Sequence, residues 1–157
     1  MTAVGERTSC PVQRLGALAG TKLGTSRWHE ITQEAVTAFG VATGDEQWIH
    51  TDPVRAADGP FGGTVAHGYM TLAMFTGMLA EVFEVTGISV VLNKGVDKLR
   101  FSAPVPVGCR VAADIEIIAV RPRPRGFYEV RYGLTVRVEG QPTAALAAEA
   151  IFLYQQS

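Results

Sequence analysis

The chain has 157 residues, 47% hydrophobic and 18% charged, a composition that suits one soluble globular domain with a substantial core and excludes a disordered chain. Its formal net charge of −1 provides no broad positive field, so nucleic acid is not an expected partner. Cys10 and Cys109 have no metal-ligand spacing and no signal-peptide pattern opens the chain, so both read as free thiols in a reducing cytoplasm.

In chain order, Met1 to Ser9 is polar and reads as loose, within an N-terminal extension (residues 1–19) to a single domain spanning residues 1–157. Pro11 to Leu18 suits a short helix ended by Gly20, and Lys22 to Ile31 reads as extended chain. Thr32 has the chemistry of an N-cap, Glu34 lies in the first turn, and Val36 and Phe39 supply the apolar stripe of a helix that Gly44 can close. Asp45 therefore stands just beyond a helix C-terminus. Asp52-Pro53 opens another short helical turn, and Asp58 to Gly63 forms a glycine-rich loop able to approach a ligand or another backbone closely.

The longest periodic segment runs from His67 to Val85 and is apolar on nearly every side, which predicts one buried helix about 28 Å long. Its uninterrupted apolar run is too short for a membrane span. Beyond Gly87 the period changes to two. Ile88 to Leu92, Val96 to Phe101, Val111 to Ala119, Tyr128 to Val138 and Ala144 to Tyr154 read as strands, with a hairpin loop at Arg121 to Gly126 and a turn at Gly140 to Pro142. A helix followed by about four antiparallel strands predicts an α+β fold whose sheet wraps the helix.

The chemistry concentrates between Thr43 and Leu72. Asp45 and His50 are five residues apart, a spacing that puts them on opposite faces of a strand, so bringing them together requires a bend, which Gly44-Asp45 can supply. A carboxylate and an imidazole so placed can hold one water and move its protons. Asp45, His50 and His67 could also ligate a metal, but three scattered ligands without a cysteine favour the reading with no metal. His67, at the helix start, reads as a capping or packing residue before a chemical one.

The segment Phe39 to His50, with Thr43-Gly44-Asp45 and a histidine five beyond the aspartate, resembles the signature of MaoC-like dehydratases and (R)-specific enoyl-CoA hydratases. The loop Gly62-Gly63-Thr64-Val65-Ala66-His67-Gly68 is similar to that family's entry into its central helix, and the element order resembles its hot-dog fold, over roughly Gly20 to Tyr154. One departure is visible: the family commonly reads Asp-x-Asn-Pro-x-His, and here Gln47 and Trp48 stand at the asparagine and proline positions.

The resemblance implies (R)-specific hydration of 2-trans-enoyl thioesters, or the reverse dehydration, with no cofactor beyond the coenzyme A or acyl-carrier thioester substrate. Asp45 and His50 would activate water, and the Gly68 N–H would hold the developing enolate oxygen. Gln47, Trp48, Gly63 and His67 are expected to shape substrate binding. Coenzyme A carries phosphates, so Lys98 and Arg100, two apart and expected on one strand face, are candidate contacts. Arg121, Arg123 and Arg125 form a denser cluster that suits an exposed turn equally well. The family also implies a homodimer joined sheet to sheet at an edge strand, with the site nearby. Other functions for the same fold are a thioesterase, addition of a nucleophile other than water, and a non-catalytic acyl-binding subunit; retention of both Asp45 and His50 disfavours the last.

Overall fold

The computed structural model describes residues 7–157. Strand β1 (Thr8–Pro11) and the 3-10 helix Val12–Leu18 come first, and Val12 and Leu15 are fully buried. Part of the segment expected to be loose is therefore structural: β1 pairs in parallel with β4 (Phe83–Thr86), aligning Cys10 with Val85. The rest of that expectation, over residues 1–6, lies outside the described residues.

Strands β2 (Thr21–Thr25) and β3 (His29–Glu30) lead into α1 (Gln33–Thr43), where the Thr32 hydroxyl accepts from the Ala35 N–H and Gly44 ends the helix at φ 76°. Two short helices follow, α2 (Trp48–Thr51) and α3 (Pro53–Ala57), the second capped by the Asp52 side chain.

The single long helix expected from His67 to Val85 is instead two helices and a strand. Helices α4 (Gly68–Ala73) and α5 (Phe75–Val82) meet at Met74, and β4 begins at Phe83. Tyr69, Ala73, Thr76, Gly77 and Ala80 face outward, so the helices are amphipathic rather than buried all round. From Phe83 the period is two, with Phe83 and Val85 inside and Glu84 and Thr86 outside, and β1 supplies the strand partner that makes this alternation pay.

The main sheet is antiparallel, with strand order β2-β6-β7-β8-β5 and β3 also paired to β6. Its members are β5 (Ile88–Phe101), β6 (Arg110–Arg123), β7 (Phe127–Val138) and β8 (Leu146–Gln156). The two runs expected before Phe101 are thus one long strand with three irregularities in its pairing to β8. The hairpin loop is tighter than expected, because β6 continues through Arg123. The sheet wraps α4 and α5 in the hot-dog manner. Phe75 from α5 lies edge-on to Tyr132 and Phe152, and the Tyr132 and Tyr154 hydroxyls bond each other at 2.7 Å inside the core.

One ionic cluster ties β5, β6 and β7 together. Glu129 on β7 is buried and takes charged hydrogen bonds from Lys94 on β5 and from Arg123, the latter at 2.9–3.2 Å. The Lys94 ammonium, then the Arg123 guanidinium, hold the carboxyl well below its usual 4.5, at about 2. A carboxyl whose folded-state pKa is depressed adds stability above its unfolded value and loses it as pH falls toward the folded one. Because both cations are partly exposed, we expect Glu129→Gln to cost on the order of 2 kcal/mol at pH 7. In urea unfolding the gap between variant and parent should shrink from pH 4.5 to pH 2; a pH-independent gap would rule out this origin.

Candidate active site

Asp45 and His50 converge as the bend requires. The left-handed Gly44 turns the chain out of α1, Asp45 follows, and α2 carries His50 back toward it. Gly40 makes room for this turn: a Cβ there would lie 3.0 Å from the Asp45 carbonyl oxygen and 3.6 Å from the His67 ring. Asp45, His50 and His67 each present a polar side-chain atom, all within 4.8 Å of one another. The Asp45 carboxylate is 57% exposed, whereas His50 and His67 are buried.

Segment 64–67 straps the site together. The Val65 N–H donates to the Ile49 carbonyl at 3.0 Å and the Ala66 N–H to the Val105 carbonyl at 2.8 Å, while Thr64 accepts from the Val107 N–H. The Val65 carbonyl is 2.6 Å from His50 Nδ1. A carbonyl only accepts, so Nδ1 carries the hydrogen and Nε2 of the neutral ring keeps its lone pair. Gln33 locks the same unit from α1: its Nε2 donates to the His50 carbonyl at 2.7 Å and its Oε1 accepts from the Thr64 hydroxyl at 2.5 Å.

His67 stands behind the pair. Its Nε2 lies 2.8 Å from the Asp45 backbone carbonyl and 4.0 Å from the Asp45 carboxylate, and its ring stacks on His50 at 3.8 Å with 25° between planes. The two rings lie in nearly parallel planes, and each has one nitrogen within hydrogen-bond distance of a backbone carbonyl, which fixes how the imidazoles face the Asp45 carboxylate.

Beside the pair lies an apolar cavity of about 270 Å³, walled by Ile49, Phe61, Val65, Gly68, Thr71 and Phe101, among others. Its residues bracket the chemistry in sequence: Ile49 precedes His50, Val65 and Ala66 precede His67, and Gly68 follows it. Gly68 is the first residue of α4, so its N–H has no partner within the helix. A Cβ at Gly68 would come within 2.9 Å of the Phe101 ring, so an aromatic wall demands glycine there.

The other expected substrate contacts divide. Trp48 packs away from the cavity, with the Arg55 guanidinium 4.4 Å above its ring and Gly59 so close that a Cβ would lie 2.9 Å from it. Gln47 is exposed at the start of α2, and Gly63 lies outside the cavity wall. Lys98 and Arg100 do not act as an alternating pair, because the pairing of β5 with β8 shifts between Asp97 and Arg100 and Lys98 has φ 52°. Lys98 donates to Glu149 at 2.6 Å and borders a larger cavity, about 570 Å³, on the outer sheet face. Arg100 folds onto the Leu99 carbonyl at 2.8 Å. The arginine-rich hairpin joins β6 to β7 at the sheet end that pairs with Gln155, far along the strands from Phe101 and Leu146. Phe61, Phe101, Gln33 and Gly40 escaped the sequence reading; only the glycine facing inward from α1 carried a usable signal.

Residues 14–138 match the family described as MaoC like domain. The chain belongs to this MaoC-like dehydratase family. It is 47% identical over 148 residues to 3-hydroxyacyl-thioester dehydratase Z of Mycobacterium tuberculosis, covering 94% of this chain and 98% of that protein. It is 39% identical over 147 residues to nodulation protein N of Rhizobium meliloti, covering 90% and 89%. Among solved structures, the unliganded R-hydratase PhaJ1 of Pseudomonas aeruginosa superimposes with a TM-score of 0.69 at 23% identity, over 85% of this chain and 82% of that one, a likeness of fold. A MaoC-like dehydratase acts as a hydro-lyase on thioester substrates, and this chain is such an enzyme.

Proposed function

We propose that this MaoC-like enzyme catalyses (R)-specific hydration of 2-trans-enoyl thioesters, and the reverse dehydration, at Asp45, His50 and Gly68. One observation carries the proposal: the Val65 carbonyl holds His50 as an Nδ1–H tautomer, which leaves a lone pair on Nε2, and its ring stands close to the Asp45 carboxylate and next in sequence to residues lining an apolar cavity that includes Gly68. In the hydration direction a water gives one proton to the Asp45–His50 pair as its oxygen bonds Cβ. The pair returns a proton to Cα, so H and OH add across the double bond, and the Gly68 N–H receives the charge that builds on the thioester oxygen. The names of the relatives support the reaction class, and one of them, from Aeromonas caviae, is an (R)-specific enoyl-CoA hydratase 34% identical over 86 residues.

The test is loss of the conjugated enoyl absorbance with crotonyl-CoA, run beside a free-thiol assay. Absorbance loss without thiol release supports hydration; thiol release would replace it with a thioesterase.

We further propose that the enzyme works as a homodimer joined along β5. That 14-residue strand ends the sheet order, its outer edge unpaired among the described residues, and Val90, Val91, Leu92 and Val96 are exposed on it. Unpaired apolar edges invite a second strand. Light scattering at micromolar concentration should give twice the chain mass, and a monomer would defeat the proposal.

A further inference from the structure

Resting on the hydratase reading, we infer that His67 is a positioning residue that holds both members of the catalytic pair, rather than a group that touches substrate. It is only 3% exposed, against 8% for His50 and 57% for the Asp45 side chain, so of the three it offers the least surface to a bound molecule. Its Nε2–H donates to the Asp45 backbone carbonyl at 2.8 Å, which fixes the turn that carries the carboxylate. The opposite demand, that His50 keep one ring orientation, is met by the 3.8 Å stack together with the Val65 carbonyl on His50 Nδ1.

The surroundings are built to keep this imidazole in place. Phe39 on α1 flanks it at 5.0 Å between centroids, and Gly40 leaves space for its Cε1. A donor to Asp45 through Nε2 requires the Nε2–H tautomer, and the buried Nδ1 then has no partner among the described residues. An unpartnered buried nitrogen is costly, so a residue kept only for packing would be better served by an aromatic ring without nitrogens. The nitrogen that does bond therefore accounts for a histidine at position 67. Catalytic geometry tolerates displacements of only a fraction of an ångström, and a hydrogen bond to the backbone of the acid is a direct way to hold it.

The experiment compares the full-length protein with His67→Phe, which keeps a stacking ring but loses the donor, and His67→Gln, which supplies a donor without a ring. Crotonyl-CoA hydration, binding of the saturated butyryl-CoA and the histidine tautomers by long-range proton–nitrogen NMR are read for each. We expect His67→Phe to lower kcat at least tenfold with KM and the butyryl-CoA Kd within twofold, and His67→Gln to recover part of that loss. In the parent, His67 should show the Nε2–H tautomer and His50 the Nδ1–H one. A parental kcat in His67→Phe, or a loss carried by KM and Kd instead, would overturn the inference. So would an Nδ1–H tautomer at His67, a readout that holds even if the parent hydrates no enoyl thioester, the result that would sink the hydratase reading itself.

Discussion

Asp45→Asn should lower kcat for crotonyl-CoA hydration by about 10²–10⁴ while leaving the fold intact. The separation of activity from stability follows from how Asp45 is used. Its backbone carbonyl, which the substitution preserves, holds His67, while its carboxylate is 57% exposed and free to act on a water. The variant's Tm should stay within about 2 °C of the parent's, since surface substitutions away from such contacts usually change stability by less than about 0.5 kcal/mol. His50→Ala should lose activity comparably but also stability, because it abandons the Val65 carbonyl and the stack on His67. Residues that act as one unit lose little more when both are removed, so the double variant should resemble either single one in kcat. Near-parental turnover in Asp45→Asn would remove the pair from the mechanism.

Gly68→Ala should be the most damaging change of a single methyl group. The added carbon would meet the Phe101 ring at 2.9 Å, too close to stand, so either the ring or the first turn of α4 must move. Overpacking of this kind costs about 1–3 kcal/mol. The same displacement misplaces the proposed oxyanion donor, for which losses of about 10²–10³ in kcat are typical. Phe101→Ala added to Gly68→Ala separates the two causes. If the ring is the obstacle, the double variant regains most of the lost kcat and thermal stability; if kcat stays low while stability returns, the methyl group itself blocks the approach of the thioester oxygen. Full activity in Gly68→Ala alone would exclude the N–H from the reaction.

Much of this arrangement is legible from local rules. Thr32 and Gly44 bracket α1 because an N-cap hydroxyl and a left-handed glycine are short-range solutions to unpaired helix ends, and both are observed. The approach of Asp45 to His50 could be anticipated because a five-residue spacing needs a bend to close, and the chain turns from the end of α1 at Gly44 into α2 at Gln47. The strands from Val111 onward declare themselves by alternation, since a sheet with one buried face imposes a period of two.

The misreadings share a cause. Apolar residues from His67 to Val85 suggest one helix until β1 is present, for only a paired partner decides whether Phe83 to Thr86 extends the helix or starts a strand. Lys98 and Arg100 share a face only in a strand of unbroken register, and the shift in the β5–β8 pairing is a property of two strands some fifty residues apart. Trp48 appears ready to wall a pocket, yet the approach of Gly59 and Arg55 turns it into the packing of α2 against α3.

The sequence by itself determined the ends of α1, the sheet-forming half of the chain, the α+β class and the choice of Asp45 and His50 as candidates for the chemistry, because each depends on interactions within a few positions or on periodicity along one element. Only the tertiary structure decided that Val65 selects the His50 tautomer, that His67 backs the pair from inside, and that Phe101 stands over Gly68. Those contacts join segments 15 to 33 residues apart, and a linear pattern carries no information about distances that the folding of the whole sheet around α4 and α5 sets.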